Sequence, residues 1–187
     1  MKYSFKNDYS EGAHPRILEA LMKTNFVQQN GYGLDDYCKN AEKLIQGKIK
    51  NSKSKVHFVS GGTQANLIVI SAFLRPHESV VSAATGHIFT NETGAIEATG
   101  HKVHALETAD GKIRPADILK VIDVHQNIPH QVKQKLVCIS NSTQVGTIYS
   151  KKELQDLHHL CQEKNLFLFM DGARLGHALT AETNDLT

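Results

Sequence analysis

Short apolar runs alternate along this sequence with helix-periodic stretches, and that alternation restricts the possible folds more than any other feature. The runs fall at residues 56–59, 80–83, 102–106, 136–140 and 166–170. Between them the apolar residues recur with helical spacing. Ile17, Leu18, Leu21 and Met22 follow Pro15, which can open a helix as its first residue. Tyr37, Ala41, Leu44 and Ile45 form a second stripe. Ala65, Ile68, Val69, Ala72 and Phe73 form a third that stops before Pro76, and Leu67, Ile70 and Leu74 widen it toward burial on most sides. A helix is expected around 91–98, and another from Pro115 bearing Ile118, Leu119 and Ile122. Ser150 and Glu153 make a capping box for a helix carrying Leu154, Leu157, His158 and Cys161, with Asn165 suited to a left-handed end. The run 166–170 is apolar throughout, as in a strand covered on both faces. The expectation is an α/β fold, a mostly parallel sheet flanked by helices.

Composition narrows the function classes. A length of 187 residues with 40% hydrophobic content suffices for one sizeable core. The net charge is +2, and the lysines are scattered apart from a cluster at 48–55 that reads as a solvated loop, so no nucleic-acid partner is expected. Cys38, Cys138 and Cys161 are far apart and form no metal or redox motif. No apolar run reaches membrane-spanning length and the first twelve residues lack a signal core, so a cytoplasmic protein without a membrane partner is expected.

In parallel sheets, ligands bind beyond the carboxyl ends of the strands, so the residues that follow each run are the candidates. After 56–59 comes Ser60-Gly61-Gly62-Thr63-Gln64, leading directly into a helix. Two glycines and a helix N-terminus gather N–H donors around one point and suit a phosphate; the plainer alternative is a tight turn capped by Thr63. No lysine follows the second glycine as in a nucleotide P-loop, and no Gly-x-Gly-x-x-Gly fingerprint is present. After 80–83 comes His87, whose ring can stack on a flat ligand or move a proton, or can be structural. His101, His104, His125, His130, His158 and His159 are taken as surface or core residues, and no metal site is expected. After 136–140 comes Asn141-Ser142-Thr143, and after 166–170 come Asp171 and Arg174. A carboxylate at the end of an apolar strand needs a cationic or hydrogen-bonding partner. Arg174 or a helix N-terminus would serve, and so would a protonated ring nitrogen. Phosphate cradle, stacking ring and acid together are what pyridoxal 5'-phosphate requires.

The same residues carry a family resemblance. From about Phe5 onward the chain resembles the threonine aldolase and β-eliminating lyase family, within the fold-type-I pyridoxal-phosphate enzymes. The resemblance lies in Asn7-Asp8, His14-Pro15, Gly31-Tyr32-Gly33 with Asp36, and Ser60 to Asn66. It continues through Gly86-His87, Glu92-Thr93-Gly94-Ala95 and Asp171-Gly172-Ala173-Arg174. It implies that Gly62, Thr63 and Gln64 hold the cofactor phosphate and that His87 stacks on the pyridine ring. It implies further that Asp171 meets the ring nitrogen and Arg174 approaches the ring hydroxyl. Asn7, where the family more often has serine, would lie near the substrate carboxylate, and the Tyr32 loop would reach a neighbouring subunit of a homo-oligomer. The implied reaction cleaves a β-hydroxy amino acid of the threonine type to glycine and an aldehyde.

The family's Schiff-base lysine lies beyond the aspartate, and no lysine follows Asp171 in this sequence. The expectation is therefore that residues 1–187 form the N-terminal part of the large domain, without the small C-terminal domain, and are inactive alone. A second chain supplying the lysine, an inactive fragment, and a non-catalytic phosphate-ligand module remain as alternatives.

Overall fold

The computed structural model describes residues 3–181. They belong to two compact units, Met1–Phe58 and Val59–Thr187.

The first unit is helical. Helix α1 (Pro15–Thr24) opens on Pro15 with the His14 ring accepting the Arg16 N–H at 3.2 Å. Helix α2 (Asp36–Lys48) starts from Asp35, whose carboxylate accepts the Cys38 N–H at 2.7 Å. Neither helix has a fully buried residue, and the expected α1 stripe of Ile17, Leu18, Leu21 and Met22 is exposed. Residues 56–59 form no strand: they find no ladder partner among the described residues, and Phe58 and Val59 are about half exposed.

The second unit carries a four-stranded parallel sheet, ordered β2-β1-β3-β4. The strands are β1 (Glu78–Ala83), β2 (Val103–Leu106), β3 (Lys133–Ser140) and β4 (Phe167–Asp171). Helix α3 (Gly62–Phe73) precedes the sheet; α4 (His87–Thr90), α5 (Pro115–Val124) and α6 (Lys151–Glu163) connect its strands, and α7 (Leu175–Ala181) follows. Parallel neighbours need such crossovers. The chain is thus an α/β fold of the expected kind.

Strand periodicity sorts the core onto two faces. Val81, Ala83, Val137 and Ile139 point to the face covered by Ile118 and Val121 of α5 and by Leu157, Leu160 and Cys161 of α6. Val80, Leu136 and Cys138 point the other way, against Ile70 of α3 and Ile88 of α4. The connection leaving β1 crosses by α4 on one face, while that leaving β3 crosses by α6 on the other. The carboxyl ends of β1 and β3 therefore flank a crevice where the topology changes direction, the usual ligand position in such sheets.

Three further elements differ from the sequence reading. Helix α3 fully buries only Asn66 and Ile70, while Ile68 and Phe73 are about half exposed. Residues 91–98 are not a helix. A left-handed pair, Thr93 (φ 51°) and Gly94 (φ 78°), interrupts them, and only Glu97–Thr99 makes a 3-10 turn. Strand β4 ends the sheet order, so it is exposed at Phe167 and half-buried from Leu168 to Asp171 rather than covered on both faces. The capping box is as expected: Ser150 N–H donates to Glu153 at 2.7 Å and Glu153 N–H to Ser150 at 3.3 Å. Asn165 is left-handed at φ 53°.

Candidate functional site

The 60–64 turn leads into α3 through Gly61, an extended N-cap residue with no side-chain cap. Thr63 therefore does not cap the helix. A Cβ on Gly61 or Gly62 would meet nothing within 4 Å, so both glycines face open space. The Gln64 carbonyl oxygen accepts the Ser60 N–H and hydroxyl, both at 2.8 Å, which closes the turn from inside. The first N–H groups of a helix have no intrahelical acceptor, so this turn presents donors and a partial positive charge outward.

At the end of β1, Gly86 has the ordinary dihedrals φ −63° and ψ 142°, yet a Cβ there would fall 2.3 Å from the Ser82 hydroxyl and 2.9 Å from the Ala83 carbonyl. Space, not conformation, demands glycine. The close approach seats α4 against β1 and sets His87 at the strand end. The His87 Nδ1 lies 2.9 Å from Glu92 Oε1, and its side chain is 34% exposed.

Asp171 closes β4. Its backbone carbonyl accepts the Asn141 N–H at 3.1 Å, and its Oδ1 accepts the Ala173 N–H at 3.1 Å, an Asx turn. Its Oδ2 faces the Asn66 amide nitrogen at 3.5 Å, and the same nitrogen donates to Glu92 Oε1 at 2.7 Å. Helix α7 begins at Leu175, so Asp171 is not its N-cap.

The result is one chain of side chains, His87–Glu92–Asn66–Asp171, drawn from the loop after β1, the second turn of α3 and the end of β4. Its Asn66 member lies one turn of helix beyond the glycine turn. The structure thus brings together the glycine turn, His87 and Asp171. Arg174 sits in the turn after Asp171, half-buried, its carbonyl accepting the His177 and Ala178 N–H groups at 3.1 Å each. Asn7 lies in the first unit, where its carbonyl oxygen accepts the Ser10 hydroxyl at 2.6 Å and the Tyr9 N–H at 3.2 Å.

The charge pattern favours a cation. Glu92 and Asp171 are carboxylates on one network, and both act on Cys138, the β3 residue that is 4% exposed. Burial first, and then these two negative charges, push the Cys138 thiol well above its ordinary range. Asn66 and Glu92 carry no role in the sequence reading. The signal for Asn66 is a polar residue four before Ile70 on an otherwise apolar helix face; for Glu92 it is a lone acid five residues after the histidine.

Comparison with known proteins gives the family. The family model for beta-eliminating lyases matches residues 12–186. The chain belongs to the beta-eliminating lyase family. The low specificity L-threonine aldolase of Pseudomonas sp. (strain NCIMB 10558) is 33% identical over 176 residues, spanning 93% of this chain and 50% of that protein. That of Escherichia coli (strain K12) is 27% identical over 88% of this chain and 48% of its own length. A solved Leishmania major threonine aldolase superimposes with a TM-score of 0.96 at 51% identity, covering 100% of this chain and 54% of that one. The chain spans about half the length of the curated relatives it matches. Among the described residues, no helix is long and apolar enough to cross a membrane, and no group of three or more His, Cys, Asp or Glu side chains is placed to hold a metal ion.

Proposed function

We propose that this chain supplies the cofactor-binding strand ends of a pyridoxal-phosphate-dependent lyase that cleaves a threonine-like β-hydroxy amino acid to glycine and an aldehyde. The observation that carries this reading is the His87–Glu92–Asn66–Asp171 chain, whose Asn66 lies on the helix that the open glycine turn begins. The threonine aldolases among its relatives support the substrate class.

The residues fit the cofactor. Gly61 and Gly62 leave the space that a phosphate needs, and the N–H groups of Gly62, Thr63 and Gln64 would hold it. The Gln64 side-chain oxygen is committed to Ser60, so Gln64 contributes through its backbone. When bound, pyridoxal phosphate supplies a sink for the electron pair released at the substrate Cα. Asp171 holds a proton at the ring nitrogen, since its Oδ2 is only loosely engaged at 3.5 Å. His87 stacks on the ring and takes or returns a proton through Nε2, because Nδ1 faces Glu92. Arg174 stands by the ring hydroxyl. In this reading a homo-oligomer completes the site, and a chain segment bearing the Schiff-base lysine anchors the cofactor.

The test has two parts. Pyridoxal 5'-phosphate titrated into this chain should bind saturably, compete with inorganic phosphate, and bind less tightly to Asp171→Ala. In the lysine-bearing enzyme, Asp171→Ala should lower threonine cleavage by several orders of magnitude. Unchanged binding together with near-normal turnover would refute the assignment.

A further inference from the structure

Glu92 is the least exposed ionisable residue of the network: the residue is 5% exposed and its side chain 1%. A carboxylate so placed is costly unless hydrogen bonds and charge compensate it. Only one of its oxygens is compensated. Oε1 takes both the Asn66 amide at 2.7 Å and the His87 ring nitrogen at 2.9 Å, while Oε2 is buried with no hydrogen-bond partner among the described residues. A residue kept there for stability alone would be better replaced by a neutral one. Neither the cofactor phosphate cradle nor the Asp171 contact assigns it a task.

We infer that Glu92 is a positioning residue that fixes both ends of the site: it locks the His87 ring in the Nδ1–H form and orients the Asn66 amide that faces Asp171. The argument is one of donors and acceptors. A carboxylate oxygen only accepts, so the nitrogen facing it carries the hydrogen. Nδ1 is therefore protonated, and in the neutral ring Nε2 is left as a bare acceptor. The Asn66 nitrogen has two hydrogens. With one held by Glu92, the other is turned to Asp171 Oδ2, and the amide cannot flip without placing its oxygen against two carboxylates. A single buried oxygen thus couples the imidazole after β1 to the acid at the end of β4. The catalytic consequence rests on the proposed function, since it leaves Nε2 as the one His87 atom able to accept a proton from substrate. The tautomer itself does not rest on it.

The experiment is a nitrogen NMR spectrum of this chain labelled in its histidines, without ligand, at pH 8, with His87→Gln assigning the signals. The expected result is a His87 ring protonated at Nδ1 and bare at Nε2. A ring protonated at Nε2 overturns the inference. In Glu92→Ala, the ring should revert to the Nε2–H form that a free imidazole prefers, and the Asn66 side-chain amide signals should move. An unchanged Nδ1–H ring in a variant with wild-type amide shifts along β1 and β3 also overturns it. If Glu92→Ala does not fold, the wild-type spectrum decides alone. A chain with the expected tautomer that fails to bind pyridoxal 5'-phosphate would sink the proposed function and leave this inference standing.

Discussion

Gly86→Ala isolates the packing that seats His87. The dihedrals at Gly86 suit any residue, so the substitution adds no backbone strain and tests space alone. The new Cβ would lie 2.3 Å from the Ser82 hydroxyl and 2.9 Å from the Ala83 carbonyl, against an ordinary separation of about 3.5 Å. The first contact can relax only by turning a Ser82 side chain that is 2% exposed. The second cannot relax cheaply, because the Ala83 carbonyl accepts the Gly86 N–H at 2.8 Å and the adjacent Ala84 N–H is held by Leu106 at 2.7 Å. Overpacking of this kind costs about 1–3 kcal/mol, and two contacts under 3 Å argue for about 2 kcal/mol. Ser82→Ala removes the shorter contact and keeps the longer one. In that background Gly86→Ala should cost about 1 kcal/mol, leaving a coupling of about 1 kcal/mol between the two positions. Urea unfolding of the four proteins, read from midpoints at unchanged slope, measures the cycle. A single Gly86→Ala within about 0.5 kcal/mol of wild type, or an equal cost in both backgrounds, would refute the steric account.

Further perturbations probe the rest of the fold. The Ile113 N–H donates to the Tyr149 hydroxyl at 2.6 Å and both residues are at most 2% exposed, so Tyr149→Phe strands a buried donor. A loss of about 1–3 kcal/mol in urea unfolding is expected, and no loss would show the donor finds another partner. His104, 8% exposed, has its pKa brought down from 6.5 to about 4 by burial first, then by the neighbouring His125 and Lys102 charges. The unfolded chain therefore binds the extra proton between these values, and the stability that neutral His104 contributes is present above pH 6.5 and lost as pH falls toward 4. The loss is at most about 3 kcal/mol, and His104→Gln should flatten the stability profile over that window; a parallel profile would exclude His104 as its source.

The sheet was legible because parallel strands and their crossover helices write local patterns. Runs at 80–83, 102–106 and 136–140 lie within β1, β2 and β3 or overlap them by all but one residue, and the capping box placed α6. The failures are equally physical. The residues 56–59 have strand composition, but a strand exists only with a partner, and composition does not supply one. The segment 91–98 has helical spacing at Ala95 and Ala98, yet Thr93 and Gly94 turn left-handed. The Glu92 side chain meanwhile joins His87 and Asn66 instead of lying on a helix face. The apolar composition of 166–170 does not distinguish a central strand from one at the end of the sheet order, and β4 is the latter.

Two members of the site were readable because they follow strands: His87 comes after β1 and Asp171 ends β4, where a parallel sheet presents its ligands, whereas the glycine turn follows residues that form no strand. The middle was not, because Asn66 reaches 26 residues along the chain to Glu92 and 105 residues to Asp171, and no local rule spans those separations. What local pattern does offer is a contradiction: Asn66 shares the buried face of α3 with Ile70. A polar residue on a buried face needs hydrogen-bond partners on the element it packs against. In this fold those partners come from the loop after β1 and the end of β4, so the polar exception on α3 and the acids beyond the strands are two halves of one requirement. A chain that kept the glycine turn, the histidine and the aspartate but carried leucine at position 66 would keep the sheet. It would leave the buried carboxylate of Glu92 with His87 as its single hydrogen-bond partner among these residues.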